Sequence, residues 1–182
     1  MTREEIEELD RLLASTDRAQ REQALRNLET RLRADEGDAS SLKPLGDLLG
    51  DGDPAIRRLA SWLIGKSAQN KIAGRYPVEQ LAGRLSDTDD EVRENSAWAF
   101  GEMAGVGIGD KVLASSLSNL FSDDAALVRG MAAWAVGRYA EKLGISMPHI
   151  VEALKGLRSD ESPMVASSAK WALDQIRLIG KV

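Results

Sequence analysis

The 182-residue chain has no cysteine, a single histidine, and only eight aromatic residues: four Trp, two Tyr and two Phe. Without cysteine there can be no disulfide framework, no cysteine-ligated zinc and no thiol nucleophile. One histidine, His149, leaves almost nothing from which to assemble a Ser-His-Asp triad or a multi-histidine metal centre. No apolar run approaches the roughly 20 residues that cross a bilayer. The opening Met1-Thr2-Arg3-Glu4-Glu5 also carries the wrong charge for a secretory signal. With 24 Lys+Arg against 29 Asp+Glu, the chain is acidic by five charges. These absences predict a cytoplasmic protein with no catalytic residue, metal or cofactor to assign.

What is present is a period. Trp62, Trp98, Trp134 and Trp171 recur at near-constant spacing, as do Arg21, Arg57, Arg93 and Arg129, and Gly65, Gly101 and Gly137. Asp51, Asp87, Asp123 and Asp160 form one acidic column; Asp17, Asp53 and Asp89 form another. Leu9, Leu45, Leu81, Leu117 and Leu154 mark the other half of each unit. The step divides the chain into five units, at 2–37, 38–73, 74–109, 110–145 and 146–182, within one domain over 1–182. One additional residue falls between Leu117 and Leu154, and is assigned to the loop at 144–148. A repeat of this length signals stacked supersecondary units.

Each unit reads as two helices. In the third, Val78, Leu81 and Leu85 keep helical spacing after Pro77. Ser86-Asp87-Thr88-Asp89 then supplies turn and N-cap residues for a second helix at 90–104, which Gly105-Val106-Gly107-Ile108-Gly109 ends. Thr2 and Glu5 have the spacing of a capping box. No segment alternates with period two, so the fold is expected to be all-α. Units this small bury their apolar faces only by stacking.

The segment 85–103, Leu-Ser-Asp-Thr-Asp-Asp-Glu-Val-Arg-Glu-Asn-Ser-Ala-Trp-Ala-Phe-Gly-Glu-Met, resembles a short HEAT repeat of the kind found in phycobilin lyases, and 121–139 repeats it. The resemblance is strong in units two to four. It weakens at the ends, where Ala166 and Asp174 replace the arginine and glycine, and Gln20, Arg26 and Glu29 replace the valine, tryptophan and glycine. It implies a right-handed α-solenoid of about five two-helix repeats whose second helices line a concave surface. Glu94-Asn95-Ser96-Ala97-Trp98-Ala99 also resembles an armadillo repeat. The asparagine expected four residues after the tryptophan is replaced by Lys66, Glu102, Arg138 and Gln175, so recognition of nuclear localisation signals is not carried over.

On a helical projection, Val92, Ser96, Ala99, Phe100 and Met103 form the core stripe, with equivalents at Ile56, Ala60, Leu63 and Ile64, and at Val128, Ala132, Ala135, Val136 and Tyr139. Arg93 follows Asp89 by four residues, as Arg57 follows Asp53. This spacing allows an ion pair within the helix, or else the arginine pairs with the next unit. Asp53, Arg57, Asp89, Arg93 and Arg129 are therefore assigned to a structural ladder.

Trp98 points about 150° away from the centre of the core stripe. The tryptophan row is thus either mortar, each indole lying over Gly65, Gly101 or Gly137 of a neighbouring helix, or a binding surface. The groove assigned to a partner comprises Arg58, Trp62, Lys66, Glu94, Trp98, Glu102, Trp134, Arg138, Trp171 and Gln175.

The leading functional expectation is a non-enzymatic scaffold or adaptor that holds a peptide or helix of another protein in this groove. The resemblance also suggests an alternative, a lyase or chaperone-type factor for tetrapyrrole attachment. A HEAT-like DNA glycosylase fits less well, because an acidic groove containing Glu94 and Glu102 disfavours phosphate binding. Deoxyhypusine hydroxylase chemistry would need several histidines.

Overall fold

A computed structural model describes residues 2–179 of the chain. Ten α-helices follow one another in pairs, with no strand among the described residues. The first helices of the pairs are α1 (Arg3–Leu13), α3 (Leu42–Leu48), α5 (Val78–Gly83), α7 (Lys111–Ser118) and α9 (Pro148–Leu157). The second helices are α2 (Arg18–Arg33), α4 (Pro54–Gln69), α6 (Asp90–Ala104), α8 (Ala126–Leu143) and α10 (Pro163–Ile179). Tight 3₁₀ turns precede α3 and extend α5 and α7.

Local sequence explains the boundaries. Thr2 and Glu5 form a reciprocal capping box on α1, each side chain accepting the other residue's backbone N–H. Asp17, Asp53 and Asp89 cap α2, α4 and α6 by accepting the amides of Ala19, Ala55 and Val92. Pro54 opens α4, where its missing N–H has no intrahelical acceptor to lose. Gly144 stops α8 in the left-handed conformation, at φ 65°.

The core runs the length of the stack. Val92, Ala99, Phe100 and Met103 of α6 are wholly buried, as are their equivalents on α4 and α8. The leucine column of the first helices closes over them. Helices α4, α6, α8 and α10 pack extensively on one another, whereas successive first helices barely touch. A stack with one layer more closely spaced than the other curves with the close layer inside. The second helices therefore form the concave face.

Register is set by a ladder of ion pairs between units. Arg57 donates through Nε and Nη2 to Asp87 at 2.9 and 2.7 Å. Arg93 does the same to Asp123 at 2.7 and 2.9 Å, and Arg129 to Asp160 at 2.8 and 2.9 Å. Arg21 lies 2.8 Å from Asp51. Each arginine also turns Nη1 back onto carbonyls of its own interhelical turn: Ser15 and Thr16, Asp51 and Gly52, Asp87, and Asp123 and Asp124. One planar guanidinium thus ties its own turn to the aspartate of the next unit, a fork that lysine could not reproduce.

The acidic members of this ladder are the column at 51, 87, 123 and 160. The intrahelical pairs Asp53–Arg57 and Asp89–Arg93 do not form. The carboxylates of Asp53 and Asp89 are folded onto the helix starts as caps, and they meet arginines from the preceding unit instead. Arg18 reaches Asp53, and Arg58 grips Asp89 with both arms of its guanidinium.

Candidate functional site

All four tryptophans stand on the concave layer, and each is half-buried. The mortar arrangement is built into three of them. A Cβ on Gly65 would lie 2.5 Å from Cζ3 of Trp98, and Gly101 and Gly137 are pressed at least as closely by Trp134 and Trp171. The six-membered ring of each indole occupies the space that any side chain on those glycines would need. Each of these residues nevertheless keeps part of its surface exposed, so packing and exposure coexist.

Trp62 is seated differently, because unit one has Glu29 in the glycine column. Its ring is covered by the Arg33 guanidinium at 5.1 Å and stacks on Trp98, with centroids 6.1 Å apart and planes inclined by 17°. The next interval along the row opens. Between Trp98 and Trp134 lies a cavity of about 280 Å³ lined by those two rings with Gly130, Met131, Met164 and Ser168. Gly130 lets Met164 settle against α8, since a Cβ there would lie 2.5 Å from the Met164 Sδ, whereas its column holds Arg58 and Glu94 in the two preceding units. Leu127, 58% exposed, and Met164, 39% exposed, stand at the starts of α8 and α10 on the same face. Exposed large apolar residues are few among the described residues, so their position here is informative.

The charged groove residues divide into engaged and unengaged groups. Arg58 is committed to Asp89 and reaches Glu91 at 3.2 Å. Arg138 pairs with Glu141 at 2.8 Å, donates toward the Gly101 carbonyl, and lies 5.7 Å from the Trp134 centroid, leaving Glu102 4.0 Å away. Lys66 bonds Gln69. Gln175 is half-buried one turn after Trp171. Glu94 has neither an ion pair nor a side-chain hydrogen bond among the described residues. Burial, with Glu91 and Asp90 nearby, pushes its carboxyl above the ordinary range.

Leu127, Met131, Met164 and Ser168 do not emerge from the repeat columns, because Leu127 and Met164 share theirs with Ala55 and Glu91, and Met131 and Ser168 share theirs with Leu59 and Asn95. A signal was available two turns before each tryptophan, where the column reads Ala55, Glu91, Leu127 and Met164 and becomes large and apolar only in units four and five.

The pattern of HEAT repeats matches residues 42–137, just over half of the chain. The chain belongs to the HEAT-repeat family. No curated protein matches it. Solved structures similar to this HEAT stack include an engineered protein, with a TM-score of 0.70 and 22% identity over 96% of this chain and 80% of that one. A designed armadillo repeat protein in complex with the peptide (KR)4 has a TM-score of 0.68 and 20% identity over 92% and 80%. The CpcE–CpcF complex of phycocyanin lyase from Nostoc sp. PCC7120 has a TM-score of 0.67 and 19% identity over 97% and 67%. At these identities the likeness is one of fold.

No group of three or more His, Cys, Asp or Glu side chains able to hold a metal occurs among the described residues, and no described helix is long and apolar enough to cross a membrane. The lining of the space between Trp98 and Trp134 is mostly apolar, which suits an apolar group.

Proposed function

We propose that this HEAT protein is a non-enzymatic scaffold that holds a segment of another protein, extended or helical, along the groove of its second helices. The carrying observation is the cavity between Trp98 and Trp134, where two rigidly seated aromatic rings, two methionines and a glycine offer an apolar socket beside the exposed Leu127. Rigid aromatic walls lose little side-chain entropy on binding, and methionines adapt to the shape of what enters. A peptide-bound designed armadillo protein of similar fold supports the mode of binding.

The test must leave the indoles in place, because removing them also removes mortar. Peptides selected from a displayed random library against the protein should bind the Met131→Glu, Met164→Glu double variant at least tenfold more weakly. The helical circular dichroism should stay close to that of the parent, and affinities are compared where the variant is fully folded, because Met131 packs partly on the core and a carboxylate there costs some stability. A library that yields no binder, or binders indifferent to both substitutions, would remove the groove as the functional surface.

A further inference from the structure

The charges around the socket are unevenly satisfied, and this limits what can fill it. The cations bordering it are engaged: Arg58 with Asp89, Arg138 with Glu141. The acids are in excess. Asp124 is exposed and Glu161 is 92% exposed, 3.9 Å from Arg129, just before the helices that carry Leu127 and Met164, and Asp90 is exposed at the start of α6. Glu94 stands one turn before Trp98 on α6, on the face that leads to the socket.

The repeat explains why Glu94 is left over. Its equivalent in unit two, Arg58, crosses to Glu91 of the next helix. The same step from Glu94 leads to Leu127, which offers a carboxylate nothing, and the column's next member is Gly130. A half-buried carboxylate beside an apolar socket calls for a cation from outside the chain. The raised carboxyl of Glu94 fits this, since burial and two neighbouring acids act on it without compensation.

We infer that the groove's occupant is a protein segment carrying a large apolar side chain, for the Trp98–Trp134 socket, with a lysine or arginine a few residues away that pairs with Glu94. This rests on the reading of the groove given above. It describes a single apolar anchor with a cation beside it, in place of a uniformly basic strand.

The same displayed library tests it. Binders sensitive to Met131→Glu and Met164→Glu should be enriched in one Leu, Met, Phe or Trp with Lys or Arg within about four residues. They should lose about tenfold in affinity against Glu94→Gln, which keeps the shape and removes the charge. Selection repeated on Glu94→Lys should move the enrichment to Asp or Glu. Groove-dependent binders without basic enrichment, or with unchanged affinity for Glu94→Gln, would overturn this inference and leave the scaffold reading standing. Binders insensitive to the two methionine substitutions would overturn both. Sedimentation showing a dimer that Met131→Glu dissociates would put a second copy of the chain in the groove and also overturn the inference.

Discussion

Arg93→Met is expected to lower the free energy of unfolding by about 3 kcal/mol, measured by urea denaturation at neutral pH, because it strands a buried carboxylate. The side chains of Arg93 and Asp123 are 17% and 9% exposed, and the arginine supplies both of the side-chain donors that Asp123 receives. What remains for Asp123 is the amide of Ala125. Methionine keeps the length and apolar stem, so the loss reports the charge and the fork and little of the packing.

The pH dependence has a definite sign. Burial alone would raise the Asp123 carboxyl, but the Arg93 pair and the Ala125 amide outweigh it and hold it below its ordinary value. A group depressed on folding stabilises the native state above its unfolded value, about 3.9 for Asp, and that contribution is lost as pH falls through the folded value. The gap between parent and Arg93→Met should therefore be full at pH 7 and should shrink below about pH 4. Arg58→Met provides the contrast, since Arg58 is 36% exposed and its pair with Asp89 is worth about 1 kcal/mol or less and is screened by salt. Equal losses for the two variants would show that the ladder is no more than surface pairing.

The family, the helix pairs and the core stripe were legible because they recur: a 36-residue step with apolar residues at helical spacing leaves few alternatives. The arginine column was legible too, but spacing left its partner open between its own helix and the next unit. Sequence spacing offered Asp89 as an intrahelical neighbour of Arg93, and only the cap geometry shows that this carboxylate is spent on the start of α6 while Asp123 comes into reach from the next unit. The socket was less legible still. Reading by columns favours what repeats, whereas the cavity arises from what does not, namely Gly130 in a column of charged residues and methionine at 131 and 164. Tryptophan exposure could not be read from a projection at all, since it depends on how deeply each ring sinks onto the preceding unit's glycine.

That seating gives the second large effect. Gly101→Val is expected to cost about 1–3 kcal/mol, as overpacking does in a close-packed interior. A Cβ at Gly101 would meet Cζ3 of Trp134 almost head-on, with Cε3 at 2.8 Å and Cη2 at 3.0 Å, and an indole is a rigid plate that cannot bend aside. A β-branched residue regains only part of glycine's helix penalty, so little offsets the clash. Gly156→Ala in α9 is the matched control: a Cβ there meets nothing within 4 Å, and the substitution should be neutral or stabilising by up to about 1 kcal/mol. Because Trp134 is also a wall of the socket, the clash should register twice. The near-ultraviolet circular dichroism of the indoles should change, and groove-dependent peptides should lose affinity even under conditions where Gly101→Val is fully folded. A variant as stable as the parent with unaltered tryptophan signals would show that the rings do not lean on the glycines. A displaced ring with peptide binding intact would detach the socket from recognition, so the one substitution tests mortar and binding surface together.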